Sequence, residues 1–332
     1  MSKYLLASFC NIPTPTTSPL LLISLPLNKE SKIVPINLGH SGISTTATGL
    51  AQGNGKIFIA FISDGKFRVA VLDKNLNSLF TQELESQDIH SMLVDGKYLY
   101  TISTGTDEVV RYEITHKELK TPEVVWRASD IKKENHHLNS ITKYKGDLII
   151  SSFGKSKMEN AWRTSYDGII FNVTKGIILK DKVYQPHSVS SNGEDLFYCE
   201  SGKGLFLSTN KFSKSLDGYT RGVQFESKTS VFVATSFGRS PKRNIKSLFF
   251  NPMDSGKKSG ACRIYNINIS SKKSSHTDFG WFANEIYDLL ILDAKLDTDK
   301  LFMSSFLEER KQLSHSVSDS QRFWNYVKNK IK

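Results

Sequence analysis

Residues 89–103 read IHSMLVDGKYLYTIS, a pattern that predicts two short strands joined by a tight turn. Apolar residues recur on both sides of Asp95-Gly96, a dipeptide that is favoured in two-residue hairpin turns. The first strand opens with His90, which is followed by the small polar Ser91 and the apolar Met92. This phrase consists of a variable residue that could take part in chemistry, then a small or polar residue, then an apolar residue. It recurs along the chain and indicates a repeat of small β units.

The phrase occurs six times, as ATGL (47–50), IHSM (89–92), LNSI (138–141), PHSV (186–189), TRGV (220–223) and IYDL (286–289). Its variable positions are 48, 90, 139, 187, 221 and 287, so the gaps between them are 42, 49, 48, 34 and 66 residues. Four short strands with their turns need about 40–50 residues, as in propeller blades. The sequence therefore predicts an all-β, six-bladed β-propeller with a trimmed fourth blade and an insertion at about 238–260.

The two ends of the chain are predicted to share one blade. Residues 4–9, 20–25 and 32–38 read as three strands with no inner strand before them, and residues 285–292 read as an inner strand. Pairing them closes the ring and hides the strand edges that an open sheet exposes. Residues 301–306 are a competing candidate for the second strand of that blade. We expect one propeller over 1–310, and a short basic C-terminal helix at 316–332 packed on or beside it.

Charge and cysteine content narrow the function classes. The 332 residues carry a net charge of +11, with a concentration of basic residues at 239–273, which favours anionic partners such as a small polar or anionic molecule. A protein partner on the basic stretch at 239–263 is the alternative. The chain shows no module for sequence-specific nucleic-acid binding. Three widely spaced cysteines fit a reducing, cytoplasmic compartment, and no apolar run is long enough for a transmembrane segment.

The variable residues are the candidate site. Strand alternation places them on one face, and the residues two positions earlier on the same face, so that both tiers converge on a central channel. Nearly all are polar where a structural strand would carry Val or Ile, which indicates a functional site. The first tier is Thr48, His90, Asn139, His187, Arg221 and Tyr287, and the second is Thr46, Asp88, His137, Gln185, Tyr219 and Glu285.

Three interpretations of this cluster stay open. His90 and His187, with the amide of Asn139, could bind one divalent metal ion, the only cofactor that the pattern suggests. Alternatively, either histidine acts as a metal-free base while Arg221 holds an anionic group. The third interpretation is a purely structural hydrogen-bond network.

The remaining candidates have supporting roles around those groups. Tyr287 and Glu285 would complete a catalytic set of His90, His187 and Arg221. Substrate contacts are predicted for Asn139, His137, Asp88, Gln185, Tyr219 and Trp162, of which Trp162 lies in a loop of the third blade and could stack on a ring-shaped substrate.

Residues 137–292 resemble a bacterial family of six-bladed propellers, conserved hypothetical proteins of unknown function. The matching motifs, in order, are His137-Leu138-Asn139, Trp162-Arg163, Pro186-His187-Ser188, Ser201-Gly202-Lys203-Gly204, Tyr219-Thr220-Arg221-Gly222 and Glu285-Ile286-Tyr287-Asp288. The chain departs from the family at Cys262-Arg263, where a Cys-Gly pair is usual. The layout is also distantly similar to gluconolactonase and strictosidine-synthase propellers, a likeness that implies a site in the channel.

Two functions follow as hypotheses. The first is an enzyme of small-molecule metabolism with its site in the channel, acting on a sugar or secondary metabolite as a hydrolase, lyase or isomerase, with or without a metal ion. The second is a non-catalytic binding scaffold that presents the basic stretch to an acidic partner or protein.

Overall fold

The chain forms a six-bladed β-propeller in the computed structural model, which describes residues 2–12, 18–38, 46–154, 162, 165–237 and 260–303. The predicted helix at 316–332 and most of the basic stretch at 239–263 lie outside these residues. Each blade is a four-stranded antiparallel sheet whose first strand lines the central channel. Within the described part of the chain, no helix is long and apolar enough to cross a membrane.

The strands follow the repeat. Blades one and two comprise β4 Thr46–Gly53, β5 Lys56–Ser63, β6 Lys66–Asp73 and β7 Ser78–Glu83, then β8 Ile89–Asp95, β9 Tyr98–Ser103, β10 Glu108–Glu113 and β11 Glu123–Arg127. Blades three and four comprise β12 Leu138–Tyr144, β13 Asp147–Ser152, β14 Gly168–Asn172 and β15 Ile177–Val183, then β16 Pro186–Ser191, β17 Leu196–Glu200, β18 Leu205–Ser208 and β19 Ser213–Ser215. Blade five comprises β20 Tyr219–Phe225, β21 Ser230–Ser236, β22 Arg263–Asn268 and β23 Ser274–Asp278.

Blade six joins the two ends of the chain, as predicted. Its strands are β24 Glu285–Ala294, β1 Ser2–Cys10, β2 Leu20–Ser24 and β3 Ile33–Ile36, in that order from the channel outward. β1 pairs with β24 along nearly its whole length, from Ser2 opposite Ala294 to Cys10 opposite Glu285. The competing candidate at 301–306 is not the second strand of this blade, because residues 298–303 are helical.

The core is divided among the six interfaces between neighbouring blades. Apolar side chains from facing sheets form one buried cluster at each interface, for example Phe9, Phe279 and Phe282 between blades five and six. Burial of such side chains stabilises each interface by about 1.5–3 kcal/mol per large residue. Because every blade packs on two neighbours, the inner strands are held at fixed positions around the channel.

The repeated phrase makes two hydrogen bonds between neighbouring blades. In blades two to four, the serine after the variable position accepts a backbone N–H of the next blade, as Ser140 Oγ does from Val189 N at 2.9 Å and Ser188 Oγ from Gly222 N at 2.8 Å. A Ser or Thr after the second strand donates to a backbone carbonyl of the next blade, as Ser201 Oγ of blade four does to Thr220 of blade five at 2.5 Å. Part of the repeat is therefore structural, because these side chains hold neighbouring blades together.

Candidate functional site

β-Bulges set the direction of the variable side chains. His90 is an extra residue in its strand, because Ile89 pairs with Ser103 and Ser91 with Ile102. Asn139 and Tyr287 are extra residues of β12 and β24 in the same way. A bulge bends the strand and re-aims one side chain, and it is common next to functional sites. His90, Asn139 and Tyr287 therefore reach the channel through bulges, which strict alternation does not include, whereas His187 and Arg221 are paired residues directly before a register shift.

Half of the second tier lies just outside the strands on which simple alternation placed it. Asp88, His137 and Gln185 lie just before β8, β12 and β16, and each has a left-handed backbone, with φ of 50°, 50° and 52°. That conformation costs a non-glycine residue about 1–2 kcal/mol, so neighbouring groups must hold it. Tyr219 and Glu285 are the first residues of β20 and β24.

A buried carboxylate holds the backbone around His137. Asp107 accepts the N–H groups of Asn135 and His136, both at 2.6 Å, and of Leu138 at 3.1 Å. Burial raises the pKa of Asp107, although these three hydrogen bonds act in the opposite direction. Asp107 therefore fixes the segment that delivers His137 to the channel.

The site residues form a closed ring of side chains at the end of the channel where the inner strands begin, which we call the entrance ring. Each member lies against the next, with centre-to-centre distances between 4.3 and 5.4 Å. In order around the channel the members are His90, Tyr287, Arg221, Tyr219, His187, Phe153 and His137.

Both ring nitrogens of His90 are engaged. Nδ1 lies 3.1 Å from the amide nitrogen of Asn139, which can only donate. Nε2 lies 3.1 Å from a carboxylate oxygen of Asp88, which accepts. These partners fit a neutral imidazole with its proton on Nε2, so His90 has no lone pair that is not already used in these contacts.

His187 has the opposite arrangement. Its Nδ1 lies 2.8 Å from Ser201 Oγ and 3.1 Å from the carbonyl of Gln185. Because the Ser201 hydroxyl gives its only proton to the Thr220 carbonyl, it must accept from Nδ1, which therefore carries the proton. In the neutral ring the basic lone pair is then on Nε2, as in histidines that act as general bases.

His137 is covered by an aromatic side chain. Trp162 stacks on it with ring centres 3.7 Å apart and an angle of 16° between the planes. Nδ1 of His137 lies 2.6 Å from a carboxylate oxygen of Glu134. Trp162 is buried, so in this structure its ring packs on His137 rather than standing exposed at the channel entrance.

Arg221 is buried in an ion pair. Its Nη2 donates to Glu285 Oε2 at 2.7 Å, and Asn11 donates to the other oxygen of that carboxylate at 2.7 Å. The guanidinium lies over the rings of Tyr287 and Tyr219. Nε of Arg221 has no hydrogen-bond partner among the described residues. The charge of Arg221 is therefore compensated by Glu285, which weakens its attraction for an anion.

A cavity of about 220 Å³ occupies the channel. Four predicted site residues line it, namely His90, Asn139, His187 and Tyr287. Arg221, Glu285, His137 and Gln185 are buried but do not line it. A volume below the 300–1,000 Å³ of most ligand pockets restricts the cavity to a small molecule.

His90 is not preorganised as a metal ligand. Among the described residues, no group of three or more His, Cys, Asp or Glu side chains is arranged to hold a metal ion. His90 would have to break a hydrogen bond to Asp88 or Asn139 before it could coordinate. The metal site of His90, His187 and Asn139 stays a prediction from the sequence, and the geometry favours the metal-free interpretation.

Sequence reasoning did not find four residues of this region as site members. Ser201 orients His187, Glu134 contacts His137, and Phe153 completes the entrance ring. Asp288 lines the cavity, and burial raises the pKa of its carboxyl to about 7. A signal existed for Asp288, because it is the only charged residue that follows a variable position of the repeat.

A family model described as a domain of unknown function, DUF4915, matches residues 20–298. No curated protein matches the chain.

Solved structures that resemble the chain share its fold at low sequence identity. A protein of unknown function from Bacteroides caccae has 10% identity and a TM-score of 0.55, and the match covers 89% of this chain and 100% of that one. A Bacteroides fragilis protein named "putative 6-phosphogluconolactonase" has 11% identity and a TM-score of 0.55, with 88% and 98% covered. A chain of a nidogen/laminin complex has 12% identity and a TM-score of 0.55, with 88% and 99% covered. These likenesses show the propeller fold alone.

Proposed function

This chain belongs to the DUF4915 family, whose function is unknown, and from that premise we propose that it is an enzyme that hydrolyses a small ester or lactone without a metal ion. The reaction would take place in the channel cavity, where His90, Asn139, His187 and Tyr287 meet. The proposal refines the broader expectation of a small-molecule enzyme with its site in the channel.

The tautomer of His187 carries the proposal. Ser201 and the Gln185 carbonyl hold the proton on Nδ1, and the imidazole lines the cavity. A base with a fixed orientation and a lone pair on Nε2 suits proton abstraction from water, a step that contributes about 10²–10⁴-fold to rate.

The other cavity residues supply the remaining roles. Water attacks the carbonyl carbon of the substrate while Nε2 of His187 takes the water proton, and the carbonyl oxygen becomes an oxyanion. Asn139 uses one amide N–H for His90, and its second N–H is the donor for that oxyanion. The oxyanion collapses, the bond to the leaving oxygen breaks, and the leaving oxygen takes the proton back from His187.

The neighbour from Bacteroides fragilis guides only the choice of first substrates. At 11% identity it shares the fold, and its name adds lactones to the panel without identifying the substrate of this chain. Sugar lactones and small aliphatic lactones and esters therefore form the first panel, limited in size by the cavity of about 220 Å³.

The test is proton release at constant pH with this panel, on the wild type and on His187→Gln. We expect turnover by the wild type and a loss of about 10²–10⁴-fold in kcat/KM in the variant. His276→Gln is the matched control, because His276 is an exposed residue of β23. Absence of turnover on the whole panel, or equal rates in wild type and His187→Gln, rejects the proposal.

A further inference from the structure

The position that follows each variable residue has the same structural task in several blades, but its chemistry differs once. Ser91, Ser140 and Ser188 each accept a backbone N–H of the next blade. Asp288 does the same at the closing interface, where its Oδ2 accepts Leu50 N at 2.9 Å. A serine is sufficient for this hydrogen bond in three blades. Unless the buried carboxylate of Asp288 has another role, it would destabilise the protein without any benefit.

The charge of Asp288 is placed in the cavity. Asp288 lines the cavity together with His90 and His187, and it is the only acidic residue among the described residues that do so, none of which is Lys or Arg. Arg221, the cation of the entrance ring, does not line the cavity and is paired with Glu285. The cavity is therefore neutral to acidic in a chain whose net charge is +11.

We propose that the channel cavity binds a small molecule that carries a protonated amine, with the carboxylate of Asp288 as its counter-ion. This inference rests on the proposed function, because it makes the substrate an amine-bearing ester or lactone. It replaces the anionic ligand that net charge alone favours, since the basic residues do not line the cavity.

The surroundings of Asp288 support a role that depends on its ionisation. Burial raises the pKa of Asp288 to about 7, against the effect of the N–H groups of Leu50 and Leu289. Ser8 Oγ of β1 accepts the backbone N–H of Asp288. The other strands contribute to the cavity lining Leu50, Ala51 and Gln52 from β4, Val223 and Gln224 from β20, His90 from β8, Asn139 from β12 and His187 from β16. No cation in this set compensates the carboxylate, so an ammonium ligand would stabilise its charged form, and binding should strengthen as pH rises through about 7.

The test compares three probes of similar size that are amides, and thus are not substrates for ester hydrolysis: 4-aminobutanamide, butanamide and succinamate. Ligand-observed NMR titrations of the full-length chain at pH 8 should give a Kd for the cationic probe at least about tenfold lower than for the neutral one, with the anionic probe weakest. Asp288→Asn should abolish the preference, and so should Asp288→Ser, which places at this position the residue found in three other blades. Asp293→Asn removes the same charge from an exposed position of β24 and should leave the preference intact.

Equal binding of the cationic and neutral probes, tighter binding of succinamate, or a preference that survives in both Asp288 variants would overturn the inference. Amine preference without turnover of any ester would reject the proposed reaction and keep the inference. Turnover that depends on His187 without amine preference would do the reverse.

Discussion

The inner strands of blades two and four carry histidines at the same position of the repeat, yet the two imidazoles have opposite hydrogen-bond arrangements. His90 receives the amide of Asn139 at Nδ1, and its Nε2 contacts Asp88. His187 donates from Nδ1 to Ser201. Blade two has Thr104 at the position of Ser201, but Thr104 only donates to the Leu138 carbonyl.

The residue contributed by the next blade accounts for the difference. After blade two it is Asn139, which faces His90 and occupies its Nδ1. After blade four it is Arg221, which pairs with Glu285, so that His187 takes Ser201 instead. The repeat therefore determines the position of a side chain. Contacts with the next blade determine which atoms of that side chain are available for reaction.

The largest expected effect separates the two histidines directly. His187→Gln should lower kcat/KM for the substrate by about 10²–10⁴-fold, because it removes the base. His90→Gln should cost about tenfold, because it disturbs only the hydrogen bond that orients Asn139. Steady-state kinetics of both variants measure the contrast, and equal losses would show that the two histidines act as a unit.

Arg221 lies between His90 and His187 in the entrance ring. Its substitution tests whether its buried ion pair stabilises the part of the fold that holds both histidines. Arg221→Met leaves Glu285 buried without its cation, which should lower the free energy of unfolding by about 3–5 kcal/mol. Denaturant unfolding measures this loss. Lys66→Met breaks the exposed pair with Glu83 and should cost less than about 1 kcal/mol, so a similar loss in both variants would contradict the burial argument.

Asp288 contacts the cavity that both histidines line, and its ionisation should show in stability. The pKa of the folded-state carboxyl, about 7, is above its ordinary value of 3.8, so its contribution to stability is complete below about pH 3.8 and is lost as pH rises through about 7. The free energy of unfolding of the wild type should therefore fall relative to Asp288→Asn, by at most about 1.4 kcal/mol per pH unit between pH 5 and 7. Parallel curves for the two proteins in urea titrations across this range would contradict the shift.

The hydroxyls of Ser201 and Thr104 offer a matched pair. Ser201→Ala and Thr104→Val each remove one hydrogen bond between blades and should lower the free energy of unfolding by about 1 kcal/mol. Only Ser201→Ala should also lower kcat, by about tenfold, because Nδ1 of His187 then loses the shorter of its two hydrogen bonds and keeps only the Gln185 carbonyl as acceptor. A similar fall of kcat in Thr104→Val would mean that the hydroxyls act only through the fold.

Removal of metal ions is expected to have no effect. Treatment with a chelator should leave both turnover and the free energy of unfolding unchanged, because His90 and Asn139 already satisfy each other. Elemental analysis of the wild type and His187→Ala gives the second measurement. Stoichiometric metal that disappears in the variant would support the metal-dependent interpretation of His90, His187 and Asn139.

The fold could be predicted because a propeller needs the same local pattern six times. In several units the small residue and a following Ser or Thr make hydrogen bonds between blades, so they leave a readable repeat, and the three strands without an inner partner predict the closing blade. The site could be predicted only as a set of positions. Bulges at His90, Asn139 and Tyr287 depend on strand register, and the partners of His187 depend on neighbouring blades, neither of which a single strand encodes.

The sharing of blade six between the chain ends has a consequence for synthesis. Among the strands of the propeller, β1 is synthesised before the others. Its partner on the channel side is β24, which ends at Ala294, 284 residues after Cys10. At about 5–20 residues per second, the interval is roughly 14–57 s. During that time the apolar segments of β1 and β2 have no inner strand to pair with, although blades one to five can form in order. Newly made chains should therefore depend on chaperones that shield the N-terminal strands until the last one emerges.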